Sequence, residues 1–378
     1  MQNIDKSFFK EELKRLKVLT NLFSWLGTGI AFRILPKGLE RETEKNRMER
    51  SNVVSVFHPD ATDGTKGKDN ANLNDEVVKQ MIDEGIKKFT GTNNIRDAWA
   101  LIIPDPSKKI AIKVNCQIQG IYTKAKVVKA ITESLIARGV QPDNIIIYDR
   151  TDNAFPYAGF KRNLTDGIKV GTVADFGGYS RLFFDRLANL LIGGYSSSLL
   201  NFLFQLSSYS NLWMLERIFS AILPQSKNRF NCEYLINVPV LKALDVCSGV
   251  TLSMKNHYGS IAGPSLHHED VMDYLPYLNN LPPIKYKTKL IVLDAIFCEY
   301  KWVNSRSQEY VSTINKILFS NDPVAIDYLG WKIIEKERKK MGLQALSIEP
   351  KYIRNAAMQG IGDDNPTKFE HDELNLTA

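Results

Sequence analysis

The chain has 378 residues, of which 44% are hydrophobic and 24% charged, and a formal net charge of +7. That length allows one large core or two modest ones, and the composition is that of an ordinary soluble globular protein. The lysines and arginines are interspersed with acids, so no basic stripe points to nucleic acid.

Four cysteines, Cys116, Cys232, Cys247 and Cys298, lie far apart. Without a Cys-x-x-Cys pair, neither a zinc ribbon nor a ferredoxin-type cluster loop is encoded, and free thiols are the default. No Gly-x-Gly-x-x-Gly and no P-loop occur, so a nucleotide site by fingerprint is not supported.

Residues 1–51 open the chain. A basic stretch with Lys10, Lys14, Arg15 and Lys17 precedes a mostly apolar run, Val18 to Phe32. The run falls short of the about 20 apolar residues of a membrane span. Three readings stay open: an export signal or anchor, an amphipathic surface helix, or a docked helix. The first implies an extracytoplasmic or membrane-associated protein, the others a cytoplasmic one. Leu35 to Ser51 is highly charged and reads as a linker or solvated helix.

The α/β domain is expected over residues 52–364. Val53 to Phe57 reads as a strand, and Asp75 is placed to cap a helix over Glu76–Lys88. Ile95 to Ile102 adds a helical turn or two. Lys109–Asn115, Lys124–Arg138 and Asn144–Asp149 then form a βαβ unit, which requires a parallel pair with a right-handed crossover. Ligands of open α/β sheets sit beyond the carboxyl ends of such strands. Lys113, Asn115 and Asp149 lie at that edge. The bland alternative for Lys113 is a solvated sheet face.

An apolar block, Leu182 to Leu223, is interrupted by Gly193-Gly194 and several serines. It reads as a helical insertion at about residues 180–228: a cap, a partner or homo-oligomer surface, or a membrane-surface hairpin. Tyr234 to Val238 is a buried strand that Pro239 is expected to end. The connection that follows carries Lys242, Thr251, Ser253, Lys255, Asn256, His257 and Gly259. Lysines and amides suit an anionic or carbonyl-rich ligand, and glycines suit close backbone approach. His257, with His267 and His268, suits a divalent metal, against a plainer reading of the last two as polar residues at a helix start. Lys289–Asp294 is a strand ending in a carboxylate. Ile314–Ser320 is another, followed by Asp322, a natural N-cap with Pro323 at the first helical position. Helices are expected over Val324–Lys340 and Tyr352–Met358, and residues 365–378 form a polar tail.

The spaced series Ile112-Lys113-Val114-Asn115-Cys116, Ile147-Tyr148-Asp149-Arg150, Ile236-Asn237-Val238-Pro239-Val240-Leu241-Lys242, Gly249 to Gly259, the strand ending in Asp294, and Asp322-Pro323-Val324-Ala325-Ile326-Asp327 resembles the family known only as domain of unknown function 362. The resemblance spans roughly Asn52 to Asp364. The family has no settled activity to carry over. Many relatives bear a ferredoxin-like iron–sulfur segment, whose cysteines this chain lacks. Relatives often place a histidine just after the position of Lys242, where Ala243-Leu244-Asp245 stands here.

The expectation is an α/β protein with a mostly parallel sheet flanked by helices. Lys113, Lys242, Lys255 and His257 are its candidate catalytic groups. Asn115, Asp149, Asn237, Thr251, Ser253, Asn256, Gly259, Asp294 and Asp322 are its candidate ligand contacts. The function classes are an enzyme handling a small anionic molecule, by redox or isomerising chemistry, and a non-catalytic binding or assembly protein working through residues 182–223.

Overall fold

Short apolar runs bounded by turn residues set the strands. In the computed structural model, residues 51–63, 72–116, 121–176, 232–261, 264–280, 282–303 and 308–377 are described. The 182–223 block and all of residues 1–51 except Ser51 lie outside them, so the readings placed there are not addressed.

The sheet strands are β1 (Asn52–Phe57), β2 (Ile110–Val114), β3 (Ile145–Asp149), β4 (Lys169–Thr172), β5 (Tyr234–Val238), β6 (Val240–Leu244), β7 (Gly249–Thr251), β8 (Thr288–Glu299), β9 (Val311–Ser320) and β10 (Glu370–Asn375). The helices are α1 (Asp75–Thr90), α2 (Ile95–Ile102), α3 (Ala125–Arg138), α4 (Phe155–Ala158), α5 (Ser253–Asn256), α6 (Val271–Asn280), α7 (Pro323–Lys340) and α8 (Tyr352–Met358), with a further single turn, Pro282–Lys285, after α6. The fold is α/β with a mixed, mostly parallel sheet, in the order β10-β1-β9-β8-β5-β2-β3-β4. β2, β3, β4, β5 and β8 are mutually parallel neighbours, whereas β9 runs antiparallel to both β8 and β1. No helix among the described residues is long and apolar enough to cross a membrane.

Strand alternation divides the core into two layers. Ile110, Ile112 and Val114 of β2 pack with α1, α2 and α3 through Met81, Ile82, Trp99, Val127 and Ile131. Ala111, between them, joins the opposite layer with Met254, Leu275, Ile326 and Tyr352. Lys113 therefore leaves β2 on the side that α5 to α8 cover.

Helix ends follow the side-chain chemistry of their caps. Asn74, not Asp75, caps α1: its Oδ1 accepts from the amides of Glu76 and Val77. Asp75 instead holds Lys126 and Lys129 of α3. Asp322 caps α7 as its sequence position implies, accepting from the amides of Val324 and Ala325 at 2.8 and 2.9 Å.

Two features depart from the sequence expectation. β5 ends at Val238, just before Pro239, as expected, but pairing with β8 resumes at once in β6. Proline lacks only a donor, and its carbonyl accepts the amide of Asp294 at 3.0 Å. Across a bulge, β5 and β6 both run beside the 12-residue β8. The presumed loop after Val240 is thus a hairpin of β6 and β7. The polar tail also contains structure. β10 pairs parallel with β1 from Asn52↔Glu370 to Phe57↔Asn375, with exposed residues alternating along it as expected of an edge strand.

Asp327 in α7 holds the carboxyl layer together. Its Oδ1 accepts from the amide and hydroxyl of Ser253, and its Oδ2 from the amide of Met254 and the hydroxyl of Tyr352. An acceptor-only group matches four donors. Asp327→Asn presents a donor to two of them and is expected to lower unfolding stability by about 2–4 kcal/mol. Equilibrium denaturation in urea, with Asp327→Glu as a size control, measures it.

Candidate functional site

The carboxyl ends of β2, β3 and β5 bring polar side chains together under a lid formed by α5 and the following turn, His257–Ser260. Lys113 and Asp149 are 1% and 0% exposed and pair at 2.7 Å. Lys113 Nζ also donates to the Val114 carbonyl at 2.5 Å and to Asn256 Oδ1 at 3.1 Å, so all three of its protons are used. Asp149 accepts in addition from the amides of Arg150, at 2.7 Å, and Cys116, at 2.6 Å. A buried ion pair persists only when such bonds satisfy its remaining donors and acceptors.

The lid extends the network. Asn256 Nδ2 donates to Asn237 Oδ1 at 2.7 Å. Asn237 Nδ2 donates to the Ser253 carbonyl at 2.9 Å and meets His257 Nε2 at 3.2 Å. That amide donor makes Nε2 the acceptor and places the imidazole proton on Nδ1. Burial first, then the Lys113 ammonium, push the His257 pKa down to about 3. Gly259 is required for closure. A Cβ there would lie 2.6 Å from Asp149 Oδ1 and 2.7 Å from Lys113 Nζ.

A second cluster lies against the first. Lys242 Nζ donates to Asn115 Oδ1 at 3.0 Å. In β8 its register partner is Glu299, and in β7 it is Thr251. Burial lowers the Lys242 pKa, with Glu299 opposing. Burial raises the Glu299 pKa to about 7, with Lys242 opposing. Burial, then the Asp149 carboxylate, push the Cys116 thiol well up. Thr123 ties the base of the cluster. Its hydroxyl donates to the Val238 carbonyl and accepts from the Asn115 amide. Asp294, raised to about 6 by burial, accepts from the Lys124 amide at 2.9 Å.

Of the residues singled out in the sequence, Lys113, Asn115, Asp149, Asn237, Lys242, Asn256, His257 and Gly259 converge here, with Thr251 and Asp294 at its margin. Ser253 and Asp322 serve packing and capping instead. Lys255 points elsewhere. Its Nζ donates to Cys247 Sγ at 2.8 Å and to Ser248 Oγ at 3.0 Å. The three histidines proposed for a metal take separate partners. His257 meets Asn237, His267 stacks on Tyr274 and His268 on Tyr258. Among the described residues, no group of three or more His, Cys, Asp or Glu side chains is placed to hold a metal ion.

Glu299, Thr123, Asp327 and Cys247 are not among the candidate site residues that the sequence offers. Glu299 was legible only as a carboxylate inside an apolar strand, five residues beyond Asp294. Asp245, which stands near the position where relatives often have a histidine, meets Arg338 at 3.3 Å, and Arg338 also donates to the Tyr300 and Gln344 carbonyls. The hairpin turn is thereby fastened to α7.

The family model described as domain of unknown function (DUF362) matches residues 209–332. Over that third of its length the chain is similar to this family. The match contains Asn237, Lys242, the α5 lid and Asp294, while Lys113 and Asp149 precede it. No curated protein and no solved structure matches the chain.

Two outcomes test the site. Lys113→Met strands a buried carboxylate and is expected to cost about 3–5 kcal/mol, whereas Lys113→Met with Asp149→Leu should recover much of that loss. A double-mutant cycle by denaturation checks it. For His257 the folded state binds fewer protons than the unfolded one between pH 6.5 and about 3. Its contribution to stability is therefore complete above pH 6.5 and is lost as pH falls toward 3. His257→Gln should flatten that acid limb in pH-dependent melting, and an unchanged limb would remove His257 from its origin.

Proposed function

We propose that this protein binds a small anionic molecule at the carboxyl ends of β2, β5 and β6 and transfers a proton on it. The observation that supports this reading is that Lys242 and Glu299 are register partners in β6 and β8 and act on each other's charge. Opposed burial effects bring the two groups toward each other, one lowered and the other raised to about 7. Pairs whose environments shift them in this way are suited to acid–base work near neutral pH. Lys113 is committed to Asp149, but Lys242 has Asn115 as its hydrogen-bond acceptor and keeps donors for a carboxylate or phosphate oxygen.

In this reading Lys242 holds the anion, Glu299 in its neutral form gives a proton, and its carboxylate takes one back. Asn115 orients the ammonium. The Lys113–Asp149–Asn256 network keeps the strand ends fixed, so that the groups need not reorganise during reaction. The other reading, a binding or assembly role through residues 182–223, rests on sequence outside the described residues.

The test is calorimetry with a panel of small mono- and dicarboxylates and phosphate monoesters. A binding anion should lose affinity as pH rises through about 7, because ionised Glu299 repels it. Lys242→Met should weaken binding at least about tenfold, the loss of one charge-assisted hydrogen bond. Glu299→Gln should bind with little pH dependence. If affinity is indifferent to both substitutions, the anion site is not here.

A further inference from the structure

Lys255 carries a charge that the anion site does not use. The side chain is 6% exposed. A buried ammonium requires a counter-charge or it gives up its proton. The groups that act on its charge are Cys247, which raises its pKa, and Lys242, which lowers it, beneath a larger lowering by burial. Neither is a carboxylate. Its hydrogen bonds go to Cys247 Sγ and Ser248 Oγ, and its Nζ lies 5.5 Å from the centre of the Tyr258 ring. The closest of these groups to the Lys255 ammonium is Cys247 Sγ, at 2.8 Å.

Cys247 is the least buried of the four cysteines. Cys247 sits in the β6–β7 turn and is half-buried, while Cys116, Cys232 and Cys298 are buried. Burial raises the pKa of all three of those thiols. Cys247 also lines an open cavity of about 530 Å³, with His268 and Glu269 and with apolar walls from Leu244, Val246 and Trp302. His268 stacks on Tyr258, whose ring centre is 5.9 Å away, so one aromatic ring has Lys255 and His268 as neighbours. Burial, and then Lys255, lower the His268 pKa, which favours its uncharged form beside the sulfur.

We propose that Cys247 is a nucleophilic thiol, activated by Lys255, that exchanges with small organic disulfides entering this cavity. The Cys247 thiolate attacks one sulfur of the disulfide, and a new S–S bond forms as the old one breaks. The electron pair leaves on the second sulfur, which takes the proton of the Lys255 ammonium. The products are a mixed disulfide on Cys247, a free small thiol and a neutral Lys255 amine. The protein sulfur is oxidised and the departing sulfur reduced, so electrons balance, and an added thiol reverses the step. The apolar walls and Trp302 favour an aromatic or hydrophobic disulfide.

The proposal does not rest on the anion reading, although Lys242 acts on the Lys255 charge. The experiment uses the full chain and dithiodipyridine, followed by thiopyridone release and peptide mass spectrometry. One equivalent should react at Cys247. It should react about tenfold faster in the native protein than the same thiol does in the urea-unfolded chain, because an ordinary free thiol is mostly protonated at neutral pH. Exposure alone predicts the opposite order, since Cys247 is more accessible when unfolded. Lys255→Met should bring the native rate down to the unfolded rate or below, and Lys255→Arg should keep most of it. A native rate at or below the unfolded rate, or a rate unmoved by Lys255→Met, overturns the proposal. Should Lys255→Met not fold, the native-against-unfolded comparison on the unsubstituted protein decides alone.

Discussion

Removing a lysine and an aspartate from water is expensive, and the strand ends of this domain are built to offset that expense. Lys113 and Asp149 make one ion pair and four further hydrogen bonds, to Val114, Asn256, Arg150 and Cys116. Those partners come from three places, β2 with its exit, the exit of β3, and α5. The amide of Cys116 sets the exit of β2, and the amide of Arg150 sets the exit of β3. Asn256 sets the lid, which Asn237 of β5 then braces. Burial without this complement would destabilise the fold, so the pair acts as a specification of geometry more than as a source of net stability.

The β6–β7 hairpin gives the family segment its two faces. Lys242 looks back toward Asn115 and Glu299, while the turn carries Cys247 outward to the cavity. Met254–Tyr258 does the same across from it. Lys255 goes to the turn, Asn256 to the ion pair and His257 to Asn237. Consecutive residues of a tight helical turn point about 100° apart, so one short segment serves three environments. A sequence with several polar types in immediate succession is the natural result.

Much of this was legible beforehand, for reasons that can be located. The βαβ unit showed because β3 is nearly all apolar and α3 has one apolar side ending at Gly139. Lys113 stood out because lysine inside an apolar strand needs a partner. What escaped notice were the groups whose role depends on long-range register. Glu299 becomes the register partner of Lys242 only because β6 resumes after Pro239 beside the far half of β8. Cys247 meets Lys255 only because the hairpin folds back. β10 escaped because an edge strand with charged residues has no apolar signature of its own.

The position of β1 has a consequence for how the domain assembles. Val54 lies between Phe319 of β9 and Asp372 of β10 in the sheet. The first strand of the domain thus finds its hydrogen-bond partners only near the far end of the sequence. Closing a loop of that size precedes any gain from pairing. During synthesis the hydrogen-bonding edges of β1 stay unpaired until β9 and then β10 emerge, although Val54 and Val56 can already pack against α1. The βαβ unit from Ile110 to Asp149 has local partners and can form first. The central strands become the template, and β1 is the last gap to be filled.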